Sequence, residues 1–218
     1  TFKGYKPKKE VNVGFGITHP PIKTKAMESA FHQMLPSLKT NYWLFLSRIH
    51  PKKGIDFLIT AYNQLCKDVE VLPDLVIAGP TDSIYGQKMI EQANNNPKIH
   101  FTGMLRGDSK WGAFYDCDVY LLPSHQENFG ISIVEAMACE KPVMITNNIN
   151  IWREIQEGCG GWILDSLSVN SIQNQLIEIQ KIENSQLTKK GNNAYETYQK
   201  KFCIEECTRI FVKRLSEV

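Results

Sequence analysis

The sequence lacks any long apolar run. None of its stretches approaches the roughly 18 consecutive apolar residues of a membrane-spanning helix, so we expect no such span in these 218 residues. The first ten residues are basic and no apolar segment follows them, so we do not expect a secretory signal peptide. Residue 1 is Thr rather than Met, and we interpret the chain as a piece of a longer protein.

An excess of charge of one sign is also lacking. The net charge is only +2 at neutral pH, and this balance predicts no nucleic-acid partner. Hydrophobic residues make up 42% of the chain and charged residues 22%, as is typical of a globular protein.

The cysteines form no recognisable metal-binding pattern. None of the six stands in a C-x-x-C pair, and Cys203 and Cys207, four residues apart, have no further ligands at zinc-site spacing. We therefore expect no zinc site built on these cysteines. Unpaired thiols are typical of the reducing cytoplasm, and we predict a cytoplasmic protein, or one held peripherally at the inner face of a membrane.

Glycine-rich phosphate-binding motifs are absent as well. The chain contains neither G-x-G-x-x-G nor G-x-x-x-x-G-K-[ST], which argues against a dinucleotide fingerprint and against a P-loop.

What the chain does contain is a regular alternation of apolar patterns. Short apolar runs bounded by Gly or Pro predict strands at Tyr42–Ser47, Leu75–Ala78, Ile99–Thr102, Val119–Leu122, Pro142–Thr146 and Gly161–Leu164. Helical spacing predicts helices at Thr24–Leu35, Ile55–Leu65, Ile131–Ala138 and Ile151–Glu157, and from Val169 onward with Gly191 as a weak point. Two further helices are predicted from capping residues, one after Ser83 and ending near Ala93, the other after Ser109 over Lys110–Tyr115.

This alternation predicts an α/β fold with a doubly wound parallel sheet, Rossmann-like, with helices on both faces. We assign residues 41–187 to this domain and residues 188–218 to C-terminal helices. Residues 1–40 are interpreted as an irregular linker whose basic cluster (Lys3, Lys6, Lys8, Lys9) is solvated.

In such sheets, ligands bind beyond the carboxyl ends of the strands. After the first strand, Arg48 and Lys53 lie near a predicted helix N-terminus, and two cations there suit a diphosphate. A charged surface loop is the alternative. After the third strand, Gly103 permits a tight turn whose backbone suits a base edge, although an ordinary turn fits equally.

The loop after the fourth strand contains two carboxylates. Glu127 lies in the loop and Glu135 on the helix that begins near Gly130 and Ile131, where free N–H groups suit phosphate oxygens. Glu135 stands in an apolar run and needs a partner, which vicinal sugar hydroxyls would provide. A structural salt bridge is the alternative.

At this loop the sequence resembles the retaining, GT-B-fold glycosyltransferases, above all the glycosyl transferases group 1 family (family 4), and in particular their C-terminal donor-binding domain. That family has two Glu separated by seven residues, here Glu127-NFGISIV-Glu135. It also has an Arg followed five residues later by Lys-Gly. The matching elements in chain order are Arg48, Lys53-Gly54, FTGML, Pro142-Val143, Glu154 and Gly160-Gly161, and the resemblance covers roughly Asn41 to Ile179.

The resemblance implies a role for each matching residue. Arg48 and Lys53 would bind the donor diphosphate and support the leaving nucleotide, Glu135 would bind the ribose, and Glu127 would face the donor sugar. Arg48, Lys53 and Glu127 would thus act in catalysis as well as binding, and the resemblance implies that neither a metal nor another cofactor is required. The remaining implied contacts come from Gly103, Met104 and Leu105 beside the base, Asn128, Phe129 and Gly130 near the sugar hydroxyls, and the N–H of Ile131 at the phosphates.

Two departures from the family are evident. Glu140 stands where the family usually has Gly, which puts the local turn in question. The N-terminal domain, which binds the acceptor in this family, does not precede the matched region. We therefore expect the chain alone to be inactive or weakly active, with its C-terminal helices packing toward that domain.

The expected function is transfer of a sugar from UDP-glucose or another UDP-hexose to an acceptor hydroxyl, with retained anomeric configuration. The acceptor would be a glycan or a lipid-linked molecule, in polysaccharide or glycoconjugate synthesis. Two alternatives remain open: a UDP-sugar epimerase of the same fold, and a non-catalytic nucleotide-sugar-binding module.

Overall fold

The fold is described from a computed structural model, which covers residues 14–38 and 41–217. The predicted basic cluster at Lys3, Lys6, Lys8 and Lys9 lies outside these residues. Among the described helices, none is both long and apolar enough to cross a membrane.

Helices and strands alternate from residue 25 to residue 180, and two further helices follow. The strands are β1 Tyr42–Leu46, β2 Asp74–Ala78, β3 Ile99–Gly103, β4 Val119–Leu122, β5 Val143–Thr146 and β6 Gly161–Leu164. The helices are α1 Lys25–His32, α2 Ile55–Asp68, α3 Ile84–Ala93, α4 Gly107–Asp116, α5 Ile131–Ala138, α6 Trp152–Glu157, α7 Val169–Gln180, α8 Asn184–Lys201 and α9 Ile204–Leu215. A 3₁₀ turn, Pro51–Lys53, precedes α2.

All strand pairs are parallel, in the order β3-β2-β1-β4-β5-β6. The predicted doubly wound α/β fold is therefore confirmed. The chain winds outward from β1 to β3 and returns to place β4 on the other side of β1. This reversal between β1 and β4 is the switch point at which open α/β sheets bind ligands.

The inner strands are buried on both faces, which explains their continuous apolar sequences. Every residue of β2, β4 and β5 is buried, as are the first four of β1. Helix α2 packs against α3 and α7, whereas α4 packs against α1 and α5. These two groups of helices cover the two faces, because right-handed crossovers that run in opposite directions place their helices on opposite sides.

The predicted cap at Ser83 is confirmed, but the one at Ser109 is wrong. Ser83 accepts a hydrogen bond from the Gly86 N–H at 3.0 Å. Helix α4 instead begins at Gly107 after Arg106 in the N-cap position, and the Ser109 hydroxyl donates to the Arg106 carbonyl at 2.9 Å. A serine in the first turn of a helix can donate to a preceding carbonyl as readily as a serine in the N-cap position accepts from a following N–H. A serine near a helix start therefore does not by itself show where the helix begins.

Gly191 does not weaken the C-terminal helical region. It lies buried within α8, and a Cβ there would stand 2.2 Å from the carbonyl oxygen of Glu140. The missing side chain lets α8 approach the turn between α5 and β5. The breaks in this region fall instead at residues 181–183 and 202–203, between α7, α8 and α9.

The segment before α1 is bonded to the junction between α8 and α9. Ile17 forms a parallel bridge with Cys203, its N–H donating to the Phe202 carbonyl at 2.8 Å and its carbonyl accepting from the Ile204 N–H at 3.0 Å. Gly16 is essential to this approach, because a Cβ there would lie 2.8 Å from the backbone of Ile204.

Glu140 adopts a left-handed backbone conformation, with φ at 61°. It follows α5, where its N–H bonds Met137 O at 3.0 Å. Glu140 thus takes the conformation that suits the Gly expected from the family, and a side chain there costs about 1–2 kcal/mol.

We predict that Glu140→Gly is about 1 kcal/mol more stable than Glu140→Ala, because only glycine relieves the left-handed strain. Both variants remove the same exposed carboxylate, so alanine controls for the loss of charge. Urea denaturation measures the difference. Equal unfolding midpoints for the two variants would contradict the prediction.

Candidate functional site

One cleft of about 590 Å³ opens at the carboxyl ends of β1, β3 and β4. All the site residues predicted from the sequence line it, except Gly103. The predicted residues are Arg48, Lys53, Met104, Leu105, Glu127, Asn128, Phe129, Gly130, Ile131 and Glu135, and the lining adds Lys110, Ser132 and Gly79-Pro80 among others. The cleft lies at the switch point between β1 and β4.

The loop after β1 brings a lysine against the loop after β4. The His50 ring accepts the Lys52 N–H at 3.2 Å and shapes the 3₁₀ turn. Gly54 ends the turn with φ at 64°, and a Cβ on it would lie 2.0 Å from the Pro123 carbonyl oxygen. Only glycine fits both the conformation and the contact. Packing therefore requires Gly54, the second residue of the Lys53-Gly54 motif.

Lys53 and Glu127 form an ion pair in the cleft. The Lys53 Nζ donates to Glu127 Oε1, and the two side chains are 12% and 18% exposed. Burial lowers the pKa of Lys53, and the neighbouring Arg48 charge adds to this. The Glu127 carboxylate acts in the opposite direction and favours the ammonium form. Two cations and one carboxylate therefore share this end of the cleft.

The Glu127 loop is held by bonds on both sides. The Ser124 hydroxyl donates to the Lys52 carbonyl at 2.7 Å, and Thr146 Oγ1 donates to the Ser124 carbonyl at 2.5 Å. The Asn150 N–H donates to the Glu127 carbonyl at 3.0 Å. Because these bonds tie the loop to the β1 turn and to β5, Glu127 has a fixed position without being on a helix or strand.

Helix α5 directs its N-terminus at the same cleft. Gly130 precedes it with φ at 73°, and no side chain caps the helix. The first N–H groups of such a helix carry a partial positive charge that suits anionic oxygens. Ile131 and Ser132 of its first turn line the cleft.

Glu135 pairs with Lys110, a residue that sequence reasoning missed. The Lys110 Nζ donates to Glu135 Oε1 at 2.6 Å and also lies 4.6 Å from the centre of the Trp111 ring. In the described structure the partner of this carboxylate is therefore an ion pair across α4 and α5, the alternative that the sequence left open; the ribose contact stays a prediction. Lys110 belongs to no recognised motif. Only its position in the first turn of α4, the helix that follows the Gly103 loop, could have indicated a place in the site.

Tyr120 of β4 forms a buried link beneath the cleft. Its hydroxyl bonds the Leu46 carbonyl at 2.9 Å and Ser132 Oγ at 2.7 Å. Burial raises the pKa of Tyr120, so the phenol stays neutral and joins the end of β1 to the start of α5.

The loop after β3 forms an apolar wall. Met104 is half exposed, whereas Leu105 is buried. Gly103 has φ at 70° and its carbonyl accepts the Gly79 N–H at 2.8 Å, so it sets the turn beside the cleft without lining it.

Residues 27–197 match the family described as "Glycosyl transferases group 1". An uncharacterized glycosyltransferase of Methanocaldococcus jannaschii is 32% identical over 171 residues, which cover 77% of this chain and 45% of the archaeal protein. This chain therefore spans about half the length of that relative.

Solved structures share the fold at low sequence identity. A glycosyltransferase from Rickettsia africae superposes with a TM-score of 0.81 at 20% identity, over 95% of this chain and 56% of that one. The Anabaena protein HepE, solved with UDP and glucose, gives 0.72 at 21% identity, over 90% of this chain and 53% of that one. Since the family model matches most of the chain, the protein belongs to the glycosyl transferases group 1 family.

Proposed function

We propose that this chain is the donor-binding domain of a retaining, family 4 glycosyltransferase that uses a UDP-hexose, UDP-glucose in the first instance. The observation that carries the proposal is the pairing of two Lys–Glu ion pairs, Lys53–Glu127 and Lys110–Glu135, across one cleft with an uncapped helix N-terminus. Anabaena HepE, which shares the fold, has been solved with UDP-glucose.

The charges suggest how the donor lies in the cleft. The diphosphate suits the end that holds Arg48, Lys53 and the N-terminus of α5, because each favours anionic oxygens. Glu135 would accept hydrogen bonds from the ribose hydroxyls, with Lys110 neutralising its charge, and the base would lie along Met104 and Leu105. Glu127, with the loop of Asn128 and Phe129, would then face the sugar.

This orientation explains how the protein would assist the departure of UDP. Negative charge grows on the diphosphate as the bond between the sugar C1 and the phosphate oxygen breaks, and preorganised cations and helix amides stabilise that charge without a metal. We propose that retention follows from attack by the acceptor oxygen on C1 of the sugar from the face on which UDP leaves, with the proton of the acceptor hydroxyl passing to the departing β-phosphate oxygen. The acceptor, a glycan or lipid-linked hydroxyl, would be bound by an N-terminal domain, and the whole enzyme would act in the cytoplasm.

Donor choice can be tested on this chain alone. In a thermal-shift panel, UDP-glucose and other UDP-hexoses are expected to raise the melting temperature more than GDP- or ADP-sugars. A larger shift with GDP- or ADP-sugars would reject the uridine assignment. Released UDP-sugar epimers from the longer protein would indicate an epimerase, and binding without transfer to any acceptor would indicate a non-catalytic module.

We predict that Lys53→Met weakens UDP binding by about 10–100-fold, because a charge-assisted hydrogen bond worth roughly 1.5–3 kcal/mol is lost. Uridine affinity should change less than about threefold, since it lacks phosphates. Isothermal calorimetry measures both. Lys52→Met, which removes the adjacent exposed lysine outside the cleft, serves as the matched control; equal losses for UDP and uridine would contradict the diphosphate role.

For Glu135, in contrast to Lys53, we expect UDP and uridine to lose affinity together. Glu135→Ala should weaken UDP and uridine alike, by about tenfold, since both contain the ribose. The exposed Glu91→Ala on α3 controls for loss of a carboxylate. If calorimetry shows uridine affinity unchanged, Glu135 is a structural partner of Lys110 and not a ribose ligand.

Glu127 is predicted to distinguish the sugar from the nucleotide. Glu127→Ala should weaken UDP-glucose by about tenfold but UDP by less than about threefold, because only UDP-glucose has the hexose whose hydroxyls would donate to this carboxylate. Competition binding against one fluorescent UDP probe measures both affinities. A matching loss for the two ligands would remove Glu127 from the sugar pocket.

A further inference from the structure

Three side chains with different donor atoms meet where the segment before α1 crosses the α8–α9 junction. Cys203 Sγ lies 3.4 Å from His19 Nε2 and donates to Glu205 Oε2 at 2.6 Å. His19 Nε2 and Glu205 Oε2 are 4.0 Å apart. We propose that His19, Cys203 and Glu205 bind a divalent transition-metal ion of the zinc class, with water as the fourth ligand.

The separations are close to those that a tetrahedral ion requires. With Zn–S near 2.3 Å and Zn–N and Zn–O near 2.0 Å, tetrahedral geometry places the ligand atoms about 3.3–3.5 Å apart. The S–N distance already fits. The S–O distance must lengthen and the N–O distance must shorten, each by less than about 1 Å. The His19 and Glu205 side chains are 47% and 65% exposed, so they are free to make that adjustment.

The backbone that carries the ligands is already fixed. The Ile17–Cys203 bridge and its two hydrogen bonds hold His19 beside the start of α9, and Gly16 permits the close approach. Cys203 is buried and occupies the N-cap position of α9, with Glu205 in its first turn. Binding would therefore order two exposed side chains and no segment of main chain, which keeps the entropic cost small.

The donor set selects the class of ion. A thiolate, an imidazole and a carboxylate suit Zn²⁺ or Co²⁺, whereas Mg²⁺ and Ca²⁺ prefer oxygen ligands alone. On binding, the Cys203 thiol releases its proton to solvent and the hydrogen bond to Glu205 is replaced by two metal–ligand bonds.

A second group of possible ligands, Glu28, His32 and Asp116, makes a weaker case. Its atoms also lie within 4.8 Å of one another. However, the Lys23 ammonium already bonds Asp116 Oδ1 at 2.7 Å, and its charge opposes a second cation. This group therefore provides an internal control.

The proposed role of the ion is structural. It would add a metal link to the hydrogen bonds that join the segment before α1 to α9, and a ligand that binds only the folded state raises stability. The proposal does not depend on the identity of the donor sugar.

Cobalt provides the direct test. Co²⁺ is titrated into the reduced, chelator-treated chain, and sulfur-to-cobalt charge transfer together with intense tetrahedral d–d bands should appear at one ion per chain. Zn²⁺ should displace the bands and raise the melting temperature. Cys203→Ser should abolish the charge-transfer band, and His19→Gln, at a half-exposed position that leaves the fold intact, should weaken Co²⁺ binding by at least about tenfold.

Two variants control for adventitious binding. Cys159→Ser removes an exposed thiol elsewhere, and His32→Gln removes the imidazole of the second group; both should retain the bands and the zinc-dependent stabilisation. The proposal is overturned if no sulfur-to-cobalt band forms, if the band survives in Cys203→Ser, or if a control variant loses it equally.

Discussion

The reversal of strand order between β1 and β4 is the constraint on which the site depends. Parallel strands require long right-handed crossovers, so a chain that winds outward on one side of β1 must return to continue on the other. The loops after β1 and β4 then diverge to opposite faces and leave a crevice between them. Lys53 enters it from one loop and Glu127 from the other, so neither residue could form the site within its own half of the sheet.

The two ion pairs connect different elements around this crevice. Lys53–Glu127 joins the loops after β1 and β4, while Lys110–Glu135 joins α4 to α5. Both are partly buried, where charges interact more strongly than at the surface but lose hydration. Tyr120 supports them from below with neutral hydrogen bonds to Leu46 and Ser132. The cleft is thus lined by charged side chains, and the buried Tyr120 behind them is neutral.

Sequence patterns predicted the fold well because buried parallel strands have an unambiguous signature. The runs at β4 and β6 and the helix α5 appear with the predicted bounds, since Gly or Pro stands beside each. Helix starts were harder to predict. Serine is a common N-cap residue, but Ser109 lies inside α4. Gly191 was misinterpreted because its importance lies in a contact with Glu140, which no local pattern encodes.

The same limit applies to the sites. Residues in motifs, such as Arg48 and Lys53, could be grouped from their places after strands, whereas Lys110 meets Glu135 only through helix packing. His19 and Cys203 are 184 residues apart, and the spacing rules for zinc ligands describe only neighbours in sequence. Their proximity follows from the Ile17–Cys203 bridge, a contact formed by the tertiary fold alone.

That bridge also bears on how such domains can be exchanged between relatives. Phe15 packs edge-on against Phe129 at 4.7 Å, and Phe129 packs against Phe202 at 5.7 Å. The segment before α1 therefore touches the loop of Glu127 as well as the start of α9. A chimaera joined just before β1 would combine one parent's Phe15 with the other's Phe129 and Phe202. Recombination that preserves the site must therefore transfer all three aromatic residues together.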